Sequence, residues 1–363
     1  MDVIIIRSSS IIHDPRVGKI ARSLKNRYSI TVLGWNREGI SAELINSYTI
    51  PLNLFSLKAP TGKPSIVAYL PLFWIWIFFK LVMLRPEIVH ACDLETVPPS
   101  YIYKILFGKK LVFDVFDRYA MTHIAYSSKL VYSLINSLEE YLAKRSDVLI
   151  TVSHPLLKTF QKKPKHCSII LNCPQNHNVE RRKPNKQPFT LVYTGLIVRN
   201  RGIERIIEAI KDQNEVELAV AGRVIDEEFF NQISKLHNVK YKGELLPVDA
   251  LKLEAISDVM VILYDLAIPI NNFSMPNKFF EAMMFGIPLI TNVAHELIDE
   301  IRCGIKVDYN DLKQIKTAII RLRDDNELRK MLGANGRRAF EQKYNWNVME
   351  QELYRIYDSL LNK

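Results

Sequence analysis

Asn272-Phe273-Ser274-Met275-Pro276-Asn277-Lys278-Phe279-Phe280-Glu281-Ala282-Met283-Met284-Phe285-Gly286-Ile287-Pro288-Leu289-Ile290 reads as a loop, a short helix and a buried strand. Ser274 offers a hydroxyl that can cap free backbone N–H groups, and Pro276 fixes φ with no N–H to leave unpaired. Gly286 and Pro288 end the helix. Pro288-Leu289-Ile290-Thr291 is then an apolar run suited to a covered strand. The pattern predicts a helix N-terminus aimed out of an α/β sheet, with Lys278 beside it and Glu281 one turn further in. Such an end concentrates free N–H groups and about half a positive charge, so the backbone of Ser274, Met275, Pro276 and Asn277 suits a phosphate. A carboxylate one turn behind suits the sugar hydroxyls of a nucleotide. Lys278 and Glu281 also have the spacing of an ordinary solvated helix pair, so these residues alone leave both readings open. Phe279, Phe280, Met283 and Met284 are core residues under either.

Apolar strand-like runs alternate with helical stretches around this segment. One series is Val3–Ile6, Ser29–Leu33, Ile88–Ala91, Lys110–Phe113, Val148–Val152 and Ser168–Leu171. A second is Thr190–Tyr193, Glu217–Ala221, Val239–Tyr241, Val259–Leu263, Leu289–Thr291 and Ile305–Val307. This alternation is the signature of parallel sheets with helices on both faces. The polar stretch from Glu180 to Pro188 reads as a linker. The expected fold class is therefore α/β, with doubly wound Rossmann-like domains over 1–180 and 190–345, a linker over 181–189 and a terminal helix over 346–363. Ligands of such folds bind beyond the carboxyl ends of the strands.

The chain is 48% hydrophobic and 24% charged, which excludes a disordered chain and fits a globular one. Cys92, Cys167, Cys173 and Cys303 show no C-x-x-C spacing, and the opening Val3-Ile4-Ile5-Ile6 is too short for a secretory apolar core. The expectation is reduced thiols and a cytoplasmic location. Residues 1–180 hold 22 Lys and Arg against 13 Asp and Glu, a net +9 out of +10 for the whole chain. A basic half suits anionic lipid or a phosphorylated substrate; no nucleic-acid motif accompanies it. Segment 66–84 is almost wholly apolar and rich in Trp and Phe. Pro71 and Lys80 interrupt it, and a strand-like run follows at once, which argues against a membrane span. It reads as an amphitropic helix on an anionic membrane surface, with a fully buried helix as the alternative.

The 272–290 segment resembles the donor-site helix of retaining glycosyltransferases of family four, which have the GT-B fold of two Rossmann-like domains facing across a cleft. That family usually carries two glutamates eight positions apart. Glu281 matches the second, which holds the nucleotide ribose; the first falls on Phe273. A Pro-Asn-Lys-x-x-Glu branch of the family matches this chain. The resemblance implies further site residues. Ser8-Ser9-Ser10-Ile11-Ile12-His13-Asp14-Pro15-Arg16-Val17 follows the first strand, where the family often has His-Asp-Pro-Arg-Val, so Ser9, His13 and Arg16 fall on the acceptor side. Asp14 and Pro15 are sound helix-capping chemistry by themselves, and Arg16 by itself is equally a surface charge. Lys110 to Tyr119 holds Asp114 and Asp117 where the family often has Asp-x-His-Glu, with Phe116 in place of the histidine. These acids are placed to orient acceptor or sugar, and their spacing is not a metal-binding Asp-x-Asp. His90, Cys92 and Asp93 are expected to follow a strand and line the acceptor side; a His-x-Cys pair is too sparse for zinc.

In Val192-Tyr193-Thr194-Gly195-Leu196-Ile197-Val198-Arg199-Asn200-Arg201-Gly202-Ile203 a strand ends at a glycine, and glycine allows close backbone approach to a ligand. The resemblance makes Arg201 a grip on the donor diphosphate. The family's other arginine falls on Leu196, and Arg199 is a candidate substitute. Arg223 and Leu245 follow two further strands, the latter where the family's loop meets the nucleotide base. The resemblance implies a retaining transferase that moves a sugar from a nucleotide diphosphate sugar to a glycan or lipid-linked hydroxyl, with Arg201, Lys278, Asp114 and Asp117 at the reaction. The spacing of Asp114 and Asp117 leaves no cofactor and no obligatory divalent metal expected, and the basic N-terminal half with segment 66–84 predicts peripheral attachment at the inner membrane face. Phe273, Leu196 and Phe116 keep two other readings open: an inactive binding subunit, and a sugar-nucleotide epimerase of the same fold.

Overall fold

The structure is a computed structural model that describes residues 2–361 apart from 10, 38, 42, 44, 46, 47, 61–63, 126 and 178–187, and apart from the side chains of His13 and Pro64. It divides into two units, Met1–Leu171 with Glu350–Lys363, and Asn172–Met349. The sequence places the boundary at 181–189, of which 181–187 lie outside the described residues. In the structure the chain passes to the second unit at 171/172 and returns at 349/350.

The N-terminal unit holds β1 (Asp2–Ile6), β2 (Ser29–Trp35), β3 (Leu52–Phe55), β4 (Ile88–Cys92), β5 (Lys110–Val115), β6 (Val148–Thr151) and β7 (His166–Ile169), in the order β3-β2-β1-β4-β5-β6-β7. The second unit holds β8 (Phe189–Thr194), β9 (Val216–Ala221), β10 (Val239–Tyr241), β11 (Val259–Ile262), β12 (Leu289–Thr291) and β13 (Gly304–Lys306), in the order β10-β9-β8-β11-β12-β13. Every pairing is parallel. Both sheets are thus doubly wound, and the order reverses between β1 and β4 in one and between β8 and β11 in the other. Every apolar run read from the sequence is a strand, with ends shifted by a residue or two. The strand that reading lacks is β3, a short edge strand that is only half-buried along its length, so its apolar signal is weak.

Two local features position the later site. Helix Pro15–Lys25 begins as its sequence reads: Asp14 accepts from the N–H groups of Arg16 at 3.1 Å and Val17 at 3.0 Å, with Pro15 at the first helical position. Helix Asn277–Phe285 ends at Gly286 in the left-handed region, φ 63°. A Cβ on Gly333 would lie 2.1 Å from the Gly286 carbonyl oxygen. Glycine at 333 therefore lets helix Asn326–Gln342 press directly against the end of Asn277–Phe285.

The core of the N-terminal unit contains a polar chain of contacts. Arg16 donates to Asp114 through Nε at 3.1 Å and Nη2 at 2.7 Å, and to the Ile170 carbonyl at 2.6 Å. His90 Nε2 lies 3.2 Å from Asp114 Oδ2, and its Nδ1 lies 2.9 Å from the hydroxyl of Tyr357 on the terminal helix Trp346–Leu360. All four side chains are buried. Burial opposes ionisation of Asp114, but the Arg16 guanidinium and His90 outweigh it and hold the carboxyl below the ordinary aspartate range. A second chain joins Arg118 to Glu139 at 2.9 Å and Glu140 at 3.1 Å, also out of solvent.

Arg16→Met would leave the Asp114 charge buried beside a neutral neighbour, and should destabilise the protein by about 3–5 kcal/mol in urea unfolding. Because the folded pKa of Asp114 is depressed, its contribution is present above the ordinary aspartate pKa of about 4 and is lost as pH falls through the lower folded value. Wild type and variant should therefore converge in stability in acid; an equal gap at all pH values would contradict the pairing.

Candidate functional site

The loops beyond β8 and β11, at the point where strand order reverses in the second unit, enclose a cavity of about 540 Å³ counting its open mouth. Thr194, Gly195 and Leu196 line it from the end of β8, Tyr264 from the end of β11, Arg201 from the glycine loop and Lys278 from helix Asn277–Phe285. This is the place where doubly wound sheets bind ligands. Gly222, at the end of β9, keeps the floor tight: a Cβ there would lie 1.8 Å from the Gly195 carbonyl oxygen. The Arg201 guanidinium lies 4.6 Å from the ring centre of Tyr264, which holds it over the cavity by cation–π attraction.

Helix Asn277–Phe285 opens at Pro276 with no side-chain cap. Ser274 is not the cap that its position suggests. Its hydroxyl donates back to the Ile270 carbonyl at 3.2 Å, closing the 3-10 turn Pro269–Phe273. The helix end is left to its backbone N–H groups, which is the arrangement that suits an anion. Met275, Pro276 and Asn277 are all half-buried around it.

Lys278 Nζ lies 2.8 Å from Glu254 Oε1 and 2.7 Å from Glu281 Oε2. Glu254 is wholly buried, and the Thr194 hydroxyl at the end of β8 donates to it. One lysine thus serves two carboxylates. Burial first, and then the neighbouring Glu281 charge, push the Glu254 carboxyl up to about 7, against the pull of Lys278. Its Oε2 is buried with no hydrogen-bond partner among the described residues, so burial weighs fully on its charge. Burial works against the Lys278 ammonium, but Glu281 and Glu254 outweigh it and keep it charged well above the ordinary lysine value. Glu254 is the residue of this unit that the sequence does not point to. It sits near the end of helix Pro247–Ala255, in a stretch with no motif, and only the packing of that helix beside Asn277–Phe285 brings it to the lysine.

The other expected residues of this unit divide. Arg201 and Gly195 line the cavity with Lys278. Arg199 does not substitute at Leu196: it is drawn onto Asp226 at 3.3 Å, with its guanidinium 5.1 Å from the Phe229 ring. Arg223 is exposed and Leu245 half-buried in loops beyond β9 and β10, and neither lines the cavity.

In the N-terminal unit Arg16, His90 and Asp114 belong to the buried chain of contacts described above, and His90 lies inside β4, not after it. Their charges and hydrogen bonds are spent within the core. Ligand atoms of His90, Cys92 and Asp114 lie within 4.8 Å of one another. Arg16 already places a cation on Asp114, and both His90 nitrogens are engaged, so this trio fits a hydrogen-bonded core better than a metal. Asp93 is differently placed. It follows β4 with φ 59° and ψ 163°, a region that side chains rarely adopt. It accepts from the Phe116 N–H at 2.8 Å and pairs with Arg7, which also donates to Asp14 at 3.1 Å. Arg7 and Asp93 meet where strand order reverses between β1 and β4. Arg7 directly follows β1 and carries no motif, so the sequence did not single it out. Ser9 is half-buried in the same loop, and Asp117 is exposed after β5. The His13 side chain lies outside the described residues.

The model of the "Glycosyl transferases group 1" family matches residues 175–339, nearly the whole second unit. An uncharacterised glycosyltransferase of Methanocaldococcus jannaschii is 23% identical over 350 residues, covering 88% of this chain and 83% of its own length. A capsular polysaccharide biosynthesis glycosyltransferase of Staphylococcus aureus is 25% identical over 185 residues, covering 48% of this chain and 47% of its own. Among solved structures, sucrose-phosphate synthase of Thermosynechococcus elongatus aligns with TM-score 0.78 at 16% identity, over 100% of this chain and 99% of its own. HepE of Anabaena, solved with UDP and glucose, aligns with TM-score 0.76 at 16% identity, over 99% and 100%. The fold is that of these GT-B proteins.

Glu254→Gln tests the shared lysine. A folded pKa near 7, raised from the usual value of 4.5, gives stability that is full below the unfolded pKa and is lost as pH rises through the folded one. The permanently neutral Gln escapes that loss. Relative to wild type, the variant should gain in urea midpoint between pH 5 and pH 8; parallel pH profiles would remove the proton from Glu254.

Proposed function

We propose that this protein is a retaining, metal-independent glycosyltransferase of the cytoplasm. It takes a nucleotide diphosphate sugar as donor and a hydroxyl of a glycan or lipid-linked acceptor, in the synthesis of a cell-surface polysaccharide or glycoconjugate. The observation that carries this reading is the meeting of Lys278 and Arg201 at one cavity, with Lys278 in the first turn of a helix whose N-terminus has no side-chain cap. A diphosphate is the ligand they suit. HepE structures that hold UDP, with or without glucose, and UDP-glucose share the fold and support a donor of that class. The capsular polysaccharide relative supports the class of product.

In the transfer, the bond between the sugar's anomeric carbon and the diphosphate oxygen breaks and a bond to the acceptor oxygen forms. The acceptor's proton passes to the departing diphosphate. Negative charge grows on that diphosphate as it leaves, and Lys278, Arg201 and the helix N–H groups are already in place to stabilise it. These fixed positive groups can do what a divalent ion does in other transferases. Glu281, one turn into the helix, binds the ribose hydroxyls. Retention rests on the family resemblance.

A panel of nucleotide sugars tested for thermal stabilisation identifies the donor, since ligand at about 100 times its Kd adds about 2.7 kcal/mol to the native state. Release of the nucleoside diphosphate, measured with and without a chelator, then tests turnover. If no nucleotide stabilises the protein and none is consumed, the reading fails.

Glu281→Ala should weaken nucleotide binding by about 1.5–3 kcal/mol, roughly ten- to a hundredfold in Kd by calorimetry, while the fold persists. Unchanged affinity would remove the ribose contact.

Arg201→Ala should lower turnover about a hundredfold or more with little change in unfolding midpoint, because the arginine lies against the Tyr264 ring and lines the cavity. Lys278→Ala should differ: it leaves the buried Glu254 and the half-buried Glu281 side by side without their shared cation, and should lose stability together with activity. A wild-type rate for Arg201→Ala would take that residue out of the diphosphate clamp.

A further inference from the structure

Three helices of the N-terminal unit lie side by side, Leu70–Leu84 against Val97–Phe107 and Val97–Phe107 against Lys129–Arg145. Each turns an apolar stripe outward. On the first the stripe is Leu72, Ile75, Phe79 and Met83; on the second Ile102, Ile105 and Leu106; on the third Leu130, Leu134 and Leu138. These are helical spacings, so each stripe is a continuous face. Phe79 is 62% exposed, Met83 72% and Leu130 70%. The apolar residues that fill the core are a different set. Leu70, Phe73, Ile77 and Leu81 point inward from the first helix, and the Phe73 ring stacks on Trp35 at 4.7 Å. The two tryptophans also turn inward: Trp74 donates to the Glu95 carbonyl at 2.7 Å, and Trp76 packs against Phe55 and Phe73.

Within the three helices the charges left outside the core are of one sign; just beyond them Asp147 pairs with Lys104 at 2.8 Å. Within the three helices the basic residues are Lys80, Lys104, Lys129, Lys144 and Arg145. The acidic residues are Glu139 and Glu140, both turned inward onto Arg118 and buried. Soluble monomers rarely leave so broad an apolar surface open, and such surfaces mark partners or membranes.

We infer that this three-helix face docks the protein onto an anionic lipid bilayer, the apolar stripes entering the headgroup boundary and the basic residues meeting lipid phosphates. The stretch Ser65–Leu84 is long and apolar enough to cross a bilayer, but one side of it is built into the sheet core, so the helix lies along the membrane. A second copy of the chain is the poorer occupant, because face-to-face packing would bring two basic rims together. The inference does not depend on the proposed chemistry.

Co-sedimentation of the full-length protein tests it, using vesicles of phosphatidylcholine with about 30 mol% phosphatidylglycerol against pure phosphatidylcholine. The bound fraction should be at least tenfold higher on the anionic vesicles, and part of it should survive about 0.5 M salt, where charge attraction is screened. The outward variant Phe79→Ser/Ile105→Ser/Leu134→Ser should lose that salt-resistant part with its circular dichroism unchanged. Should the variant fail to fold, hydrogen exchange of the wild-type protein decides: anionic vesicles should protect 70–84, 97–107 and 129–145. Protection confined to other segments, no binding to any vesicle, or unchanged binding by the folded variant overturns the inference. So does a wild-type dimer that the variant converts to monomer with no vesicle binding, since a second copy would then cover the face.

Discussion

Parallel pairing throughout both sheets is the constraint on which the rest of the structure depends. A parallel strand cannot be joined to its neighbour by a tight turn, so each connection must cross over a face of the sheet and bury it. The crossovers cover the strands with helices and send every carboxyl end to one edge. Where the winding reverses, two adjacent ends diverge and leave a gap. That gap lies between β8 and β11 in one unit and between β1 and β4 in the other. The first holds the cavity of Lys278 and Arg201; the second holds the Arg7–Asp93 pair on a strained backbone.

Electrostatics in the second unit follows from where the crossover helices stop. Helix Pro247–Ala255 leads into β11 and helix Asn277–Phe285 leads into β12, and the two lie together. Glu254, Lys278 and Glu281 meet between them. Two carboxylates and one ammonium cannot all remain charged at low cost out of water, so burial favours a proton on the more enclosed carboxylate. The lysine is thereby fixed in place at the cavity wall before any ligand arrives. In the N-terminal unit the same kind of pairing serves the core. Arg16, Asp114 and His90 link helix Pro15–Lys25 and strands β4 and β5 to Tyr357 of the terminal helix. Residues of catalytic type are common in such cores, and burial is what separates the two uses.

Much of this was legible in the sequence. Apolar runs spaced by helical stretches specify a doubly wound α/β fold, because only parallel sheets covered on both faces bury that pattern. The cap at Asp14 and Pro15 and the stop at Gly286 depend on neighbours a few residues away, so they read correctly. The Lys278–Glu281 pair, three residues apart on one helix, is local in the same way. The half-buried edge strand β3 escaped because exposure on one side dilutes its apolar signal.

What the sequence by itself determined is therefore what local interactions determine: the fold class, the order of strands and helices, and the anion-suited helix end with its lysine. Tertiary structure decided which polar residues face the cavity and which face one another. Arg16, His90 and Asp114 look like site residues in one dimension, yet β4, β5 and two helices close around them and satisfy them. Glu254 looks like an ordinary helix glutamate, yet packing delivers it to Lys278 from 24 residues away. Arg199 was drawn to Asp226 and away from the cavity. Tertiary structure also set which stripe of the 70–84 helix enters the core and which stays outside. Burial and ion pairing join residues distant in the chain, so no window of sequence holds that information.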